Sequence, residues 1–579
     1  MTFSVKTGGL EAMFENVKFI LEYKLGAYKK CAEGLENDDY KVEAVKSDEV
    51  FQVTIRPKKS ISFINAYLVE HFGFLKNDRV FANGYQSWTT TREYKASDVQ
   101  RGLRSLGAVY PVRPFTALFG DYDFQKYSKK PGVFHSYSYT YVNSSGNVTL
   151  LGSLNERTGY TIFHVDMNCD TLRIQKDVEG VTTDKEYVLF ELYESKGGYD
   201  EVFDDYFAKL AFPKPRFDHM SGYTSWYNYY GGISENQIMR DLEGLARVGD
   251  AANVFQIDDG FQSKVGDWYA NEKFPGKMKN IVDATHAKGY KAGLWLAPLN
   301  AAKTSVVAKE HKDWFIRCPR LPKREIGVIG WGGGYTFDIY NPEVREYIKG
   351  FFNRVLNEWG FDMVKLDFLY SACRHPRNNK SRGELMYDAM EFLRECVGDK
   401  IILGCGVPLF PAFGYVDFCR ISCDVAPTYR EPFYNKMLNQ ELPSAKNAIN
   451  NTIFRRHLNG RIFGNDPDVF YLRERDLTGK DEFFNKRGKH KFTRNEQLLL
   501  AEINNTFGNV LFVSDNVGGY SEETLELLKK FFKPTERKII DAEYVTSSEI
   551  EITYSEADGK VWKLRFDLYT GENSHTEIK

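Results

Sequence analysis

The alternation of strand and helix patterns between residues 213 and 532 constrains the fold of this chain more than any other feature. Between most of the strands lie amphipathic segments with helical periodicity, such as SENQIMRDLEGLARV and PEVREYIKGFFNRVLNEW. Eight strands alternating with helices predict a (β/α)8 TIM barrel rather than an open doubly wound sheet. The unit between strands five and six is too short for a clear helix. The eight apolar segments typical of strands are 222–230, 253–259, 291–299, 362–370, 400–409, 417–424, 461–470 and 509–515.

The regions on either side of this pattern predict two further domains. Residues 1–212 read as all-β, because short runs such as VFQVTIR and EYVLFELY alternate with period two between turn formers. We predict an N-terminal β-sandwich there, with AFPKPRF (211–217) as the linker to a barrel over 213–532. Residues 533–579 contain Ala-Asp-Gly-Lys between alternating runs, which predicts a hairpin in a small C-terminal antiparallel β domain.

Charge and hydropathy exclude two classes of partner. The formal net charge of −2 gives no basic surplus for nucleic acid. No stretch approaches the roughly 20 apolar residues that cross a bilayer, so we expect no membrane partner. The N-terminus MTFSVKTGGLEAMF lacks the pattern of a secretory signal, which predicts a cytoplasmic location.

Charged residues crowd the ends of the predicted barrel strands, where barrel enzymes place their chemistry. Lys365 and Asp367 are two residues apart and share a face of strand four, as Arg420 and Asp424 do on strand six. Two carboxylates from different strands suit a retaining glycosidase, and a neighbouring lysine would keep the nucleophile ionised. Further carboxylates at strand ends are Asp258, Asp259, Asp466, Asp468 and Asp515.

Each of these residues also has a structural interpretation. A lone aspartate at a strand end is often a helix cap or a loop anchor, and Lys365 with Asp367 could be a buried ion pair. Carboxylates grouped at a barrel mouth can also bind Mg²⁺, as in enolase-like enzymes. Spacing and composition alone leave a hydrolase and a metal-dependent lyase open.

Whole motifs carry more information than single residues. The chain resembles the family 36 glycoside hydrolases, the melibiase-type α-galactosidases, and most closely their short bacterial members. The resemblance covers the sandwich, the barrel and the C-terminal domain. The motifs that carry it are SWYNYY (225–230), FQIDDGFQSKVGDW (255–268), GLWLAP (293–298), VKLDFLY (364–370), LGCGVPLFP (403–411), RISCDVAP (420–427) and NDPDVFYLR (465–473).

The resemblance implies a role for each matching residue. It makes Asp367 the nucleophile and Asp424 the general acid/base. Asp258 and Asp259 would accept hydrogen bonds from O4 and O6 of galactose, Lys365 and Arg420 would donate to O2 and O3, and Cys405 and Gly406 would face O2. Trp226 and Trp268 would form walls of the subsite. The run Asn-Gly-Tyr-Gln-Ser-Trp (83–88) of the N-terminal domain would reach over the active site and place Trp88 there.

The resemblance therefore implies a retaining α-galactosidase that acts on an oligosaccharide or glycoconjugate, with no metal and no organic cofactor. An α-N-acetylgalactosaminidase or a galactosyl transferase on the same scaffold stays open, as does an inactive carbohydrate-binding protein. Departures from the family pattern at Ser422-Cys423, Tyr429 and Phe463-Gly464 surround the acid/base loop. Because of these departures, the sequence does not determine the leaving group of the substrate. It does not determine the oligomeric state either.

Overall fold

The architecture was derived from a computed structural model of the chain. It describes residues 14, 16–47, 49–110, 112–318, 321–325, 327–328, 330–429, 433–439, 441–473 and 491–578. Most of the N-terminal segment MTFSVKTGGLEAMF, on which the expected location depends, lies outside these residues. Among the helices described here, none is both long and apolar enough to span a bilayer.

Two antiparallel sheets form the N-terminal sandwich. The first sheet has the order Tyr28–Glu33, Lys18–Leu25, Ile61–His71, Thr171–Asp177, Tyr160–Asp166 and Val133–Tyr137, with Thr182–Thr183 paired to Ile61–His71. The second has the order Tyr40–Lys46, Val50–Pro57, Tyr187–Gly197, Asn147–Ser153, Tyr139–Ser144, Arg79–Ala82 and Arg92–Tyr94. Alternate side chains such as Phe19, Leu21 and Tyr23 are buried between the sheets, as the period-two pattern predicts.

The N-terminal region is not all-β, which corrects one expectation. Residues Tyr199–Leu210 form a helix whose buried face, Val202, Phe203, Tyr206 and Phe207, packs on the second sheet. A short helix, Arg113–Thr116, lies on the connection between the sheets. The longer helix was missed because its strand-like neighbour EYVLFELY dominates the local pattern, whereas burial of its apolar face against the sheet stabilises it.

The eight barrel strands form one parallel sheet. We number them in chain order: barrel strands 1 to 8 are Met220–Thr224, Val254–Ile257, Lys291–Leu296, Met363–Leu366, Ile401–Gly404, Phe418–Arg420, Gly464–Asp466 and Val510–Val513. Strand 8 pairs with strand 1, and the sheet closes on strand 7 through the hydrogen bond from Asn509 N to Asn465 O, 2.9 Å. The predicted barrel is confirmed.

Helices surround the barrel where the periodicity placed them, with bounds Glu235–Leu245, Met278–Ala287, Pro342–Asn353, Arg382–Val397, Ala445–Phe454, Arg494–Phe507 and Glu522–Phe532. Shorter helices are Trp226–Tyr229, Val306–Glu310, Leu409–Ala412 and Phe433–Leu438. The unit between strands 5 and 6 holds only Leu409–Ala412, as the short segment indicated. The strands end earlier than their apolar patterns because the polar residues at their ends leave the ladder for the loops.

Three two-stranded ribbons decorate the loops and a four-stranded sheet ends the chain. The ribbons pair Gln262–Lys264 with Asp267–Ala270, Asn300–Ala302 with Gly334–Thr336, and Arg317–Cys318 with Leu321–Glu325. The C-terminal sheet runs through Lys538–Tyr544, Glu549–Ser555, Val561–Asp567 and Asn573–Glu577. Its second and third strands form the predicted hairpin, and Gly559 in the turn has a φ of +84°. The exact domain boundaries stay predictions.

Candidate active site

The carboxyl ends of barrel strands 2 and 4 are joined by a buried ion pair. Lys365 Nζ lies 2.8 Å from Asp258 Oδ2, and the two side chains are 8% and 3% exposed. Gln256 donates to the same carboxylate oxygen over 2.8 Å. Burial opposes the charge on Lys365, but the attraction of Asp258 outweighs it and holds the lysine pKa above its usual value. Since Asp367 is two residues from Lys365, this pair fixes the neighbourhood of the predicted nucleophile.

Two donors orient the carboxylate of Asp367, which directly follows barrel strand 4. Trp295 Nε1 donates to Oδ2 over 3.1 Å, and the backbone N–H of Phe368 donates to Oδ1 over 2.8 Å. Phe368 has a φ of +57°, so the chain turns sharply at this point. Trp295 lies on strand 3 and is 2% exposed. Trp295 was not predicted as a site residue from the sequence, although it lies within the motif GLWLAP.

Arg420 at the end of barrel strand 6 binds three carboxylates. Its guanidinium contacts Asp466 and Asp468, each over 2.9 Å, and Asp424 over 3.2 Å. Although burial opposes its charge, Asp466 and Asp468 raise the pKa of Arg420 well above its usual value. Arg420 and Asp424 are therefore close together, as their spacing on one strand face indicated. Arg420 also joins Asp466 and Asp468 in a larger buried network.

Asp424 is the more exposed of the two predicted catalytic carboxylates, since 44% of its side chain faces the cleft. The surrounding protein raises the pKa of Asp424 through burial, and the charge of Asp367 adds to the rise. Arg420 and Lys365 act in the opposite direction. Water in the cleft screens part of this shift. Asp367 and Asp424 follow strands 4 and 6 of the same parallel barrel, so both lie at its carboxyl end.

Asp259 lies beside Asp258 but is held by a different loop. Trp331 Nε1 donates to its Oδ2 over 3.1 Å and Gln262 Nε2 donates to Oδ1 over 2.5 Å. Burial raises the pKa of Asp259 above its usual value. The ring of Trp331 packs edge-on against Trp295 at 6.1 Å and Phe368 at 5.0 Å. Trp331 is therefore a second aromatic residue of the site that sequence reasoning missed.

Cys405 and Gly406 bring the N-terminal domain onto the barrel mouth. Cys405 is 2% exposed, and burial raises its pKa well above the usual value for a thiol. Gly406 has a φ of +55°, and a Cβ there would lie 2.7 Å from the Trp88 ring. Trp88 packs edge-on against Phe368 at 5.4 Å and Tyr370 at 5.8 Å. Only glycine fits at this contact, which brings Trp88 beside the loop that carries Asp367.

A buried arginine anchors the segment that carries Trp88. Arg455 is fully buried and donates to the carbonyl oxygens of Gln86 and Ser87, over 3.0 and 2.6 Å. It also donates to Ile421 O over 2.7 Å, next to barrel strand 6. Burial lowers the pKa of Arg455 to about 10. Nothing in the local pattern of SAKNAINNTIFRRHL distinguishes this arginine from a surface residue, so sequence reasoning could not find it.

The other two predicted tryptophans have different surroundings. Trp226 is half-buried and packs against Tyr230 at 5.0 Å, and the charge of Asp424 contributes to a pKa of about 12 at Tyr230, after the larger effect of burial. Trp268 is 1% exposed and packs against Trp295 at 6.0 Å and Phe351 at 5.9 Å. Trp268 therefore lies next to the indole that orients Asp367, and its predicted role as a wall of the subsite stays a prediction.

The described residues include no group of three or more His, Cys, Asp or Glu side chains placed to hold a metal ion. The site carboxylates accept hydrogen bonds or form ion pairs with groups of the protein: Lys365, Arg420, an indole or a backbone N–H. The expected absence of a metal or organic cofactor stays a prediction.

Comparison with known proteins finds a family match over part of the barrel. Residues 224–389, which carry Asp258, Asp259, Lys365 and Asp367, match the melibiase family model. An A type blood alpha-D-galactosamine galactosaminidase of Flavonifractor plautii is 33% identical over 147 residues, 23% of this chain and 14% of that protein. The bifunctional alpha-galactosidase/sucrose kinase AgaSK of Mediterraneibacter gnavus is 27% identical over 193 residues, 31% of this chain and 20% of that protein. The aligned stretches thus span a fifth or less of these two relatives.

The fold is shared over a longer range than the sequence. The alpha-galactosidase TtGalA of Thermus thermophilus, solved with p-nitrophenyl alpha-D-galactopyranoside, superposes with a TM-score of 0.66 at 23% identity. The match covers 88% of this chain and 98% of that one. The melibiase match over residues 224–389 agrees with the resemblance carried by the strand-end motifs, and the fold of the chain is that of the alpha-galactosidase TtGalA.

Proposed function

We propose that this protein is a retaining α-galactosidase that hydrolyses terminal α-galactosides through a covalent galactosyl-enzyme intermediate. The observation that carries the proposal is the meeting of Asp367, Lys365–Asp258 and Asp424–Arg420 at one end of the barrel. Relatives named as alpha-galactosidases, and the TtGalA structure with a bound galactoside, support the same substrate.

In the first step, Asp367 attacks the anomeric carbon. Trp295 and the backbone of Phe368 each occupy one lone pair of the carboxylate, which holds its plane and leaves other lone pairs for the sugar. The aspartate oxygen forms the new bond to carbon as the glycosidic bond breaks. The leaving oxygen takes a proton from Asp424.

Asp424 suits the acid role because burial raises its pKa above the usual value of a carboxyl, which favours the protonated form. The charge of Asp367 contributes to that rise. Once Asp367 is esterified, this charge is gone and the pKa of Asp424 falls. Asp424 can then accept a proton from the water that attacks the intermediate. One carboxyl therefore serves as acid and then as base.

Asp258 and Asp259 are proposed to select galactose through its O4 and O6 hydroxyls. Both carboxylates are held in place by donors of the protein, so a sugar whose hydroxyl is misplaced would lose a hydrogen bond to a charged acceptor. Lys365 and Arg420 offer further donors near O2 and O3. These positions together favour a single hydroxyl pattern.

A second candidate substrate is an α-linked galactosamine or N-acetylgalactosamine. The identity of 33% to the Flavonifractor plautii galactosaminidase supports it. The closed wall at C2, where Cys405 is buried and Trp88 covers Gly406, argues for galactose because overfilling a packed site is unfavourable. Transfer of galactose to a sugar acceptor would use the same intermediate.

A panel of p-nitrophenyl glycosides tests the proposal. We expect the α-galactoside to be cleaved with kcat/KM about 10²-fold above that for the α-N-acetylgalactosaminide, with no effect of EDTA. Proton NMR of the first product should show the α-anomer before mutarotation. Appearance of the β-anomer first would exclude a retaining mechanism. Equal turnover of the two aryl glycosides would move the assignment to the second candidate substrate. Added raffinose serves as a sugar acceptor, so galactosyl transfer would appear as longer oligosaccharides.

A further inference from the structure

A cleft of about 620 Å³ opens beside the site described above, between the barrel and the N-terminal domain. One wall includes Gly327, Val328 and residues 332–334, the last of which directly follow Trp331, the donor to Asp259. The opposite wall includes Ala117 and Leu118, and the adjoining Phe119 packs against Trp88 at 5.8 Å. Both walls therefore continue into residues that border the proposed galactose subsite.

The charges that line the cleft are unbalanced. Among the described lining residues, Arg113, Lys303 and Arg374 are cationic and Asp123 is the carboxylate that opposes them. Asp123 is shared, since Arg113 lies 2.9 Å and Arg374 3.4 Å from its two oxygens. The described lining thus has a surplus of two positive charges, although the whole chain has a formal net charge of −2. Low-dielectric walls concentrate the field of such charges.

Lys303 is held at the edge of this cleft by the glycine-rich wall. Its backbone N–H donates to Gly333 O over 3.0 Å, and its ammonium lies 5.6 Å from the centre of the Tyr335 ring. Gly333 has a φ of +103°, and a Cβ there would lie 3.1 Å from Lys303 Cε. The absence of a side chain at Gly333 leaves room for the lysine stem, and Lys303 itself is exposed.

We propose that this cleft binds a negatively charged leaving group, such as a uronic acid or a sulfated sugar that carries the α-galactosyl residue. The inference rests on the proposed α-galactosidase function and adds the chemical class of the leaving group. Guanidinium groups pair well with carboxylate and sulfate oxygens, and Arg374 follows the loop of Asp367 by only a few residues. The anion would lie between Arg113, Arg374 and Lys303, on the leaving-group side of the nucleophile.

The test uses a pair of substrates that differ in charge alone. One is a disaccharide with α-galactose on the 4-hydroxyl of galacturonic acid, and the other is its methyl ester. A disaccharide of α-galactose on galactose 6-sulfate distinguishes a carboxylate from a sulfate site. We expect kcat/KM for the acid to exceed that for the ester by about 3- to 10-fold at low salt, as for two partly exposed ion pairs. The ratio should fall towards one in 0.5 M NaCl (about a 4 Å Debye length).

Variants assign the effect to the cleft. In Arg113→Gln/Lys303→Gln the acid-to-ester ratio should fall to near one, and Lys303→Gln alone should give part of that loss without disturbing the Arg113–Asp123 pair. Lys529→Gln, on the helix Glu522–Phe532, removes one charge elsewhere and should preserve the ratio. A wild-type ratio near one, or a ratio that the double variant leaves unchanged, overturns the inference alone. If neither disaccharide nor p-nitrophenyl α-galactoside is cleaved, the proposed function fails and this inference fails with it.

Discussion

The carboxylates at the ends of barrel strands 4 and 6 differ from the carboxylate at the end of strand 8, although all three follow apolar parallel strands. Asp515, after strand 8, accepts from the backbone N–H groups of Leu472 and Arg473, over 2.8 and 3.1 Å, and from the hydroxyl of Tyr520. Its other oxygen lies 3.2 Å from the Arg473 guanidinium. Asp367 has two donors, and Asp424 has one arginine contact and a side chain 44% open to the cleft.

The difference teaches how to separate structure from chemistry among identical residues. Asp515 is fully buried and held by several donors of the protein, which suits a loop anchor. Asp367 and Asp424 have fewer protein donors, and Asp424 faces a cleft, which suits the proposed catalytic roles. For these three aspartates, donors and exposure together separate roles that their place at a strand end does not.

The largest effect is expected when Asp367 is removed. Asp367→Ala should lower kcat for p-nitrophenyl α-galactoside by ~10³-fold or more, because the covalent step loses its nucleophile. Azide should restore turnover and yield the β-galactosyl azide, detected by NMR.

The matched control is Asp515→Asn, which should keep kcat within about threefold while stability falls by roughly 1–3 kcal/mol, measured by urea unfolding. Near-normal activity of Asp367→Ala, or a catalytic loss in Asp515→Asn without unfolding, would erase the distinction between the two aspartates.

Asp424→Ala should be the next most severe change, and its severity should depend on the substrate. Raffinose needs protonation of its leaving oxygen, so its kcat/KM should fall by about 10²–10⁴-fold, the usual contribution of a general acid. Glycosylation by 2,4-dinitrophenyl α-galactoside should be nearly preserved, as measured by the pre-steady-state burst. Equal losses on both substrates would assign Asp424 to sugar binding.

Asp258→Asn should have an intermediate effect that tests the binding role. The change removes the charge that Lys365 faces and weakens an acceptor for the sugar. We expect kcat/KM for the α-galactoside to fall by roughly 10- to 10²-fold, since a hydrogen bond to a charged group contributes roughly 1.5–3 kcal/mol. Steady-state kinetics on the galactoside and the α-glucoside measure it. Selectivity that stays at the wild-type value would contradict a role in recognition of O4.

The smallest effect on catalysis is expected at Glu441, a buried carboxyl between the acid/base loop and the N-terminal domain. It accepts from Tyr122, from Tyr127 over 3.3 Å and from the Thr90 N–H over 3.2 Å. Burial raises the pKa of Glu441 from 4.5 to about 8. The folded protein therefore binds this proton more tightly than the unfolded chain does, and stability falls as the pH rises from about 4.5 to about 8.

Glu441→Gln should remove that dependence and make the protein more stable at pH 8 by about 1–3 kcal/mol, with kcat within about twofold of wild type. Urea unfolding between pH 5 and pH 8 measures the change. Glu526→Gln, an exposed residue of the helix Glu522–Phe532, serves as control. If the pH slope of Glu441→Gln equals that of wild type, the carboxyl is ionised in the folded protein.

Most of the fold could be predicted from the sequence because periodicity is a local property. Each predicted barrel strand and each quoted helix appears in the structure, and the exceptions are instructive. The helix Tyr199–Leu210 was hidden within a region of strand patterns. The strand predicted over 461–470 shrinks to Gly464–Asp466, since Pro467 lacks an N–H and Asp468 has a φ of +79°.

Site residues could be predicted from the sequence only where they lie at strand ends or within the family motifs. Asp258, Lys365, Asp367, Arg420 and Asp424 meet because parallel strands of one barrel end at the same face. Trp295 and Trp331 were missed because which aromatic residue lies against a carboxylate depends on the packing of loops from different strands.

The sequence by itself determined the order of elements, the barrel and the set of carboxylates at its mouth. Periodicity and strand ends depend only on residues that are neighbours in the chain. The tertiary structure alone decided which carboxylates keep free lone pairs. It also decided how Arg455 holds the Trp88 segment, and where Arg113, Lys303 and Arg374 gather. Those outcomes depend on contacts between residues tens to hundreds of positions apart, and such contacts exist only once the chain has folded.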